Sequence, residues 1–193
     1  MTYRWVSAQF PPMVYPVIRA TALFLRSRRD PEMSPDTTVR TPMTCRPWDV
    51  DMFLEMNNGR HLTLFDLGRF DQAVRLGLFQ LTRERGWGFV VGGASVQYRR
   101  RIRAFQRFEI ATRCLARDNK WFYIEQVTWR RETACSAALL RVAVVAGSRG
   151  TVPTQDVAEA MGYPDWHGTL PEWADRWESA DRTRPWPPVT GQL

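Results

Sequence analysis

The stretch Asp49-Val-Asp-Met-Phe-Leu-Glu-Met-Asn-Asn-Gly-Arg-His61 runs directly into an almost uninterrupted apolar segment that ends near Arg85. Two acids precede the polar pair Asn57 and Asn58, and Gly59 lets the backbone turn. Leu62, Phe65, Phe70, Ala73, Val74, Gly77 and Leu81 then recur at helical spacing, which predicts one long helix from about Gly59 to Arg85. A helix start carries N–H groups with no helical partner, so it can hold a carbonyl oxygen or an anion. A carboxylate beside it is suited to act as acid, base or nucleophile toward a polarised carbonyl, and the N–H groups near Asn58 and Gly59 are the candidates for that polarisation.

The apolar residues of this helix cannot share a single stripe, because Leu64, Leu67, Leu76, Leu78 and Phe79 fall outside the first set. Such a helix has to be wrapped. A short strand over Arg40 to Arg46 precedes the motif. Four strand-like runs follow the helix: Gly88–Arg100, Arg107–Ala116, Trp121–Arg131 and Ala134–Ala146. Asp118-Asn-Lys120 supplies a turn, and the alternation from Trp121 onward marks a strand with one face buried. Ala134–Ala146 is the most apolar run and the most central candidate. The expected order is an α+β domain: a long central helix wrapped by a curved antiparallel sheet of about five strands, the four long ones joined by hairpins.

Residues 39–150 hold this compact domain. Residues 1–38 read as an N-terminal extension with a short amphipathic helix within Met13 to Leu25, then a linker from Arg29 to Asp36. Docking of that helix on its own domain is the first reading; peripheral membrane contact through residues 13–29, with Arg26, Arg28 and Arg29 behind it, is the second. The segment is too short and too interrupted, by Pro16 and Arg19, to span a bilayer. Residues 151–193 give a helix over Thr154–Met161, with Thr154 as N-cap, and a Trp- and Pro-rich tail that packs on the domain.

At 193 residues and 44% hydrophobic content the chain can bury one core. The formal charge of +7 comes from 27 basic residues, all arginine except Lys120. Guanidinium groups suit phosphate or carboxylate ligands, although base composition alone can also enrich arginine. The basic residues are scattered and match no nucleic-acid motif, so no nucleic-acid partner is expected. Cys45, Cys114 and Cys135 are odd in number and form no metal-spaced cluster, which points to reduced thiols, no metal and a cytoplasmic compartment.

The pattern Asp-x-Asp-x-x-x-Glu-x-Asn-Asn-x-x-His from Asp49 to His61 resembles the signature of hotdog-fold acyl-CoA thioesterases of the 4-hydroxybenzoyl-CoA thioesterase-like branch. There the position of Glu55 is usually histidine and that of His61 usually tyrosine. Tyr98-Arg-Arg-Arg-Ile-Arg-Ala-Phe-Gln-Arg-Phe-Glu-Ile110 is similar to the family's connection between its first two long strands. The resemblance covers about Thr41 to Gly147. It implies a hotdog fold, hydrolysis of an acyl-CoA or an acyl carrier protein thioester with no cofactor, and a homodimer or homotetramer. The second acid of the motif, Asp51 here, would be the general base or nucleophile.

Each residue also has a purely structural role open to it. Asp49 can anchor the loop and Asp51 can cap a turn. Asn57 and Asn58 either satisfy the loop backbone or touch substrate. Glu55 can tune Asp51, act as a second acid or base, or face solvent. His61 can orient substrate, donate a proton, or sit hydrogen-bonded in the core. Arg99, Arg101 and Arg103, on one face if the strand continues, would meet carrier phosphates. The alternative function is a non-catalytic hotdog protein that binds acyl-CoA.

Overall fold

The helix that follows the motif begins at Asn58 and forms α2 (Asn58–Arg75). It does not continue to Arg85. Gly77 adopts a left-handed φ of 69°, and a separate helix, α3 (Leu78–Arg85), starts from it. Glycine enters that region without a Cβ clash, so the chain turns there at little cost. The N–H groups of Leu76 and Gly77 close the end of α2 on the Gln72 and Val74 carbonyls, at 2.9 and 3.1 Å. The structure, a computed structural model, describes residues 16–27 and 33–185. Met13–Tyr15, Arg28, Arg29, the start of the expected linker and Trp186 lie outside the described residues.

Around α2 curls one antiparallel sheet of six strands, one more than expected. These are β1 (Val39–Thr44), β2 (Gly88–Tyr98), β3 (Arg107–Arg117), β4 (Phe122–Arg130), β5 (Thr133–Val145) and the two-residue β6 (Thr151–Val152). The order is β1-β3-β4-β5-β2, with β6 added to β5. β5 is interior as expected, paired on both sides by β4 and β2. The hairpin expected between β2 and β3 is absent. β2 pairs with β5 instead, Gly88 opposite Val145 and Tyr98 opposite Ser136. Residues 99–106 carry the chain across the end of the sheet to β3, which lies between β1 and β4. That connection is long and has no tight-turn residues, whereas the turn at Asp118 is short and built by its carboxylate, which accepts from the N–H groups of Lys120 and Trp121 at 2.7 and 2.6 Å.

The core fills the space between α2 and the concave face of the sheet, with Leu64, Phe65 and Leu67 against Ile102, Phe108, Ile110 and Leu140. The approach is closest at Gly68, where a Cβ would lie 2.8 Å from Thr112 Oγ1 and 2.9 Å from Gln126 Nε2. Gln126 crosses this contact as a polar strut. Its Nε2 donates to the Phe65 carbonyl at 2.8 Å and to Thr112 Oγ1 at 2.9 Å, and its Oε1 accepts from Arg69 at 2.6 Å. Buried polar atoms are tolerated here because each finds a partner.

The helix before the sheet, α1 (Val17–Ser27), docks on the domain. Leu23 enters the core, Phe24 stacks edge-on against Phe79 at 5.3 Å, and Ser27 Oγ donates to Asp71 at 2.6 Å. Asp71 is fully buried and also accepts from Thr41 Oγ1 at 2.6 Å and Arg75 Nε at 2.7 Å. One carboxylate thus ties α1, β1 and α2 together. No helix among the described residues is long and apolar enough to cross a membrane.

At the C-terminal side, α4 (Thr154–Ala160) forms as expected but is capped differently. Pro153 occupies the N-cap, and the Thr154 hydroxyl donates to the Asp118 carbonyl, tying α4 to the β3–β4 turn. The tail holds a further helix that the sequence reading missed, α5 (Glu172–Arg182). It covers the outer face of the sheet, with Ala174 and Trp177 against Leu115, Tyr123 and Leu139. Asp181 pairs with Arg141, whose guanidinium lies over the rings of Trp121 and Trp177 at 5.4 and 5.6 Å.

Candidate active site

The motif forms a loop clamped to the start of α2 by Asp49. This residue closes a 3-10 turn, Pro47–Asp49, and is 1% exposed. Its Oδ2 accepts from the Arg46 N–H at 2.8 Å and from Arg19 of α1 at 2.7 Å, and its carbonyl accepts from the Asn57 N–H at 2.9 Å. Arg60 lies 3.9 Å from the same carboxylate. The desolvated charge is offset by donors on every side, which is the condition for burying a carboxylate. Asp49 therefore anchors the loop. Arg19 could not be assigned to it from sequence, since thirty positions separate the two.

Between these clamps, residues 50–56 fold back on themselves. Val50 bridges Met56, and the Asp51 N–H donates to the Glu55 carbonyl at 2.9 Å. Met52, Phe53 and Leu54 form an exposed tip, with Leu54 at a φ of 58°. Asp51 is half-buried. Its Oδ1 accepts from the Phe53 N–H at 2.8 Å in an Asx turn, and its Oδ2 has no hydrogen-bond partner among the described residues. One carboxylate oxygen is thus fixed and the other is open.

Asn57 is the N-cap of α2, and its Oδ1 accepts from the Gly59 N–H at 2.8 Å. That bond engages one of the two amides expected to polarise a carbonyl. The N–H of Asn58 has no acceptor among the described residues, so Asn58, not Gly59, offers the open donor. Gly59 contributes space: a Cβ there would sit 3.2 Å from Asn57 Oδ1.

One turn on, His61 is buried at 4% exposure. Its Nδ1 lies 3.1 Å from Ser136 Oγ on β5, and the Ser136 hydroxyl lies 2.7 Å from that of Thr128 on β4. Burial lowers the pKa of His61 from 6.5 to about 4, so the ring is neutral at physiological pH and serves as a hydrogen-bonding group, not a cationic acid. Tyr98, at the end of β2, packs edge-on against the ring at 5.2 Å and donates its hydroxyl to the Asn58 carbonyl at 3.3 Å. Ser136, Thr128 and Tyr98 escaped sequence reasoning because only strand pairing brings them to the helix start.

Glu55 is half-buried and pairs with Arg101 at 3.5 Å, so facing solvent unpaired is not its state. Arg99, Arg101 and Arg103 do not alternate on a strand, because β2 ends at Tyr98. Arg99 reaches Gln97, Arg101 holds Glu55, and the Arg103 N–H donates to Gln106. Their loop still lies beside the motif, since the Met56 N–H donates to the Ile102 carbonyl at 2.7 Å and Glu55 bridges Arg103.

An apolar cavity of about 300 Å³ lies between the later part of α2 and the sheet, bounded by Phe70, Ala73, Phe89, Val142 and Met161. Asp66 and Arg69 stand at its polar edge. None of Asp51, Asn57, Asn58, Gly59 or His61 lines it. From Asn58 to Asp66 is eight residues of helix, or about 12 Å at 1.5 Å per residue. Among the described residues no group of His, Cys, Asp and Glu could hold a metal.

The model of the thioesterase-like superfamily matches residues 45–191. Protein THEM6 of Drosophila melanogaster is 33% identical over 168 residues, 86% of this chain and 78% of that protein. Protein THEM6 of Xenopus laevis is 33% identical over 129 residues, 66% of this chain, and the chain spans 62% of that relative's length. Among solved structures, the probable thioesterase YbaW of Escherichia coli superposes with a TM-score of 0.59 at 18% identity, over 65% of this chain and 96% of that one, which shows the shared hotdog fold. With a motif loop clamped at the start of a wrapped helix and a family match over most of its length, the chain belongs to the thioesterase-like superfamily.

Proposed function

We propose that this protein hydrolyses an acyl-CoA to the free acid and CoA, with Asp51 as general base or nucleophile and the start of α2 polarising the thioester carbonyl. The observation that carries this reading is that one clamped loop presents both an open carboxylate oxygen, Asp51 Oδ2, and an open helix-start donor, the Asn58 N–H. As base, Asp51 accepts a proton from water while the water oxygen bonds to the carbonyl carbon. The carbon–sulfur bond then breaks and the thiolate takes a proton. A thioester is already activated, so a fixed carboxylate and one or two donors suffice. Neutral His61 and Tyr98 hold the helix start in place, and the apolar cavity farther along α2 accepts the acyl chain.

In this reading the basic loop from Arg99 to Arg103, which borders the motif through Met56 and Glu55, and the side chain of Asn57 flank the thioester end of the carrier. A homodimer fits the outer edge of the sheet, where β2 leaves the successive residues Val90 and Val91 almost half exposed, 46% and 45%. Alternate strand residues face opposite sides, so both faces of this edge are apolar, as an edge that pairs with a second copy would be.

The test is thiol release from short, long and aromatic acyl-CoAs by the protein and by Asp51→Asn. Asparagine keeps an oxygen for the Phe53 N–H, so the loop stays folded while the charge goes. The variant is expected to lose about 10²- to 10⁴-fold in rate, the usual worth of a positioned base. Unchanged turnover in Asp51→Asn would overturn the assignment. Tight acyl-CoA binding with no thiol release would select the alternative, a binding protein without turnover.

A further inference from the structure

A second concavity, of about 770 Å³, opens between α1 and the ends of β1, β3 and β4. Its walls carry Arg19 and Arg26 from α1, Arg46 after β1, Arg107 at the head of β3, Arg131 after β4, and the indole of Trp129. The one acid on its walls, Glu109, is paired with Arg40 at 3.3 Å, and Arg19 is committed to Asp49. Arg26, Arg46, Arg107 and Arg131 are exposed and meet no carboxylate among the described residues. Like charges gathered in a concave site repel one another and focus a positive field, which an incoming polyanion relieves.

Three features narrow the ligand. Guanidinium forks match phosphate oxygens. The half-buried Trp129 puts an aromatic side chain on the groove wall, a partner for a purine ring. The groove also reaches the active-site loop through Asp49, which accepts from the Arg46 N–H at its side chain and from the Asn57 N–H at its carbonyl. Groove and helix start are two hydrogen bonds apart and open at the same end of the sheet. The geometry points to this groove as the seat of the adenosine bisphosphate end of CoA, with the pantetheine arm running past Asp49 to Asn58. The assignment rests on the thioesterase reading for its link to turnover. It moves the phosphates away from Arg99 and Arg101 and selects CoA over an acyl carrier protein, which has no nucleotide. The family match starts at residue 45, so the α1 wall, with Arg19 and Arg26, is supplied by a part of the chain outside it.

The experiment titrates the full chain with adenosine 3′,5′-bisphosphate by calorimetry, using Arg107→Gln/Arg131→Gln and, as a control outside the groove, Arg113→Gln. Binding is expected to weaken with salt and to fall at least about tenfold in the double variant, the scale of lost charge-assisted contacts, but not in the control. In turnover, the ratio of kcat/KM for acyl-CoA to that for the same acyl group on N-acetylcysteamine should fall by a similar factor. If no thioester is hydrolysed yet the bisphosphate binds with this arginine dependence, the proposed function fails and the groove assignment stands. No bisphosphate binding, or equal binding to the double variant, overturns the assignment. So does arginine-dependent binding of phosphatidylglycerol vesicles with no response to the nucleotide, which would make the groove a lipid-headgroup site.

Discussion

Acidification tests the buried imidazole at the helix start. Burial holds the folded-state pKa of His61 at about 4, against 6.5 for the ordinary side chain. Below pH 6.5 the unfolded chain takes up a proton that the folded chain refuses, so stability is lost as the pH falls from 6.5 toward 4 and is constant above and below that window. Each pH unit inside the window is worth about 1.4 kcal/mol. Going from about pH 7.5 to about pH 5 should therefore cost roughly 2 kcal/mol from this group alone. Ordinary carboxylates titrate mainly below about pH 4.3 and add little over that range.

The assay is urea unfolding at the two pH values for the protein and for His61→Gln, which retains a polar group toward Ser136 but cannot titrate. The variant is expected to lose most of that pH dependence. The chain has only two histidines, and His167 is exposed, so an NMR titration reads His61 directly with one other signal present. Equal pH dependence in the two proteins, or a His61 midpoint near 6.5, would refute the argument that desolvation governs this residue.

Gly68→Ala places a methyl group within 2.9 Å of Gln126 and Thr112 side-chain atoms, and should destabilise by about 1–3 kcal/mol, the range for overpacking, read as a lower urea midpoint. Asp71→Ala removes the carboxylate acceptor that Ser27, Thr41 and Arg75 share, and leaves the Ser27 hydroxyl its bond to the Leu23 carbonyl. It is expected to cost about 3–5 kcal/mol and to release α1, seen as faster amide exchange in residues 17–27 than in β5; a loss under about 1 kcal/mol would show that the network contributes little.

The fold is legible in the sequence where periodicity is strong. The apolar faces of α2 required a wrapping sheet, and the alternation in β4, the apolar run of β5 and the strand-like runs of β2 and β3 gave that sheet to within a residue or two at most ends. The fold is not legible where a single residue or a distant partner decided. Gly77 broke the helix because its left-handed φ is locally free, a choice that the surrounding apolar pattern hides. The crossing from β2 to β3 was invisible because pairing depends on which neighbour β5 lacks, not on sequence adjacency. The packing of the tail on the domain was expected, but its helix α5 was missed because the Trp and Ala positions show no helical face until the outer face of the sheet is there to cover.

The same division holds at the site. The sequence by itself determined the residue types of the motif, their spacing and the family they resemble, because these are local properties of a loop and a helix start. Only the tertiary structure decided their states. It set Arg19 against Asp49, gave Glu55 to Arg101, closed the Gly59 amide with Asn57 while leaving that of Asn58 open, and neutralised His61 by burying it beside Ser136. It also gathered five arginines from four separate segments into one groove. Charge, solvation and hydrogen-bond satisfaction depend on what lies across space, and no spacing along the chain encodes that.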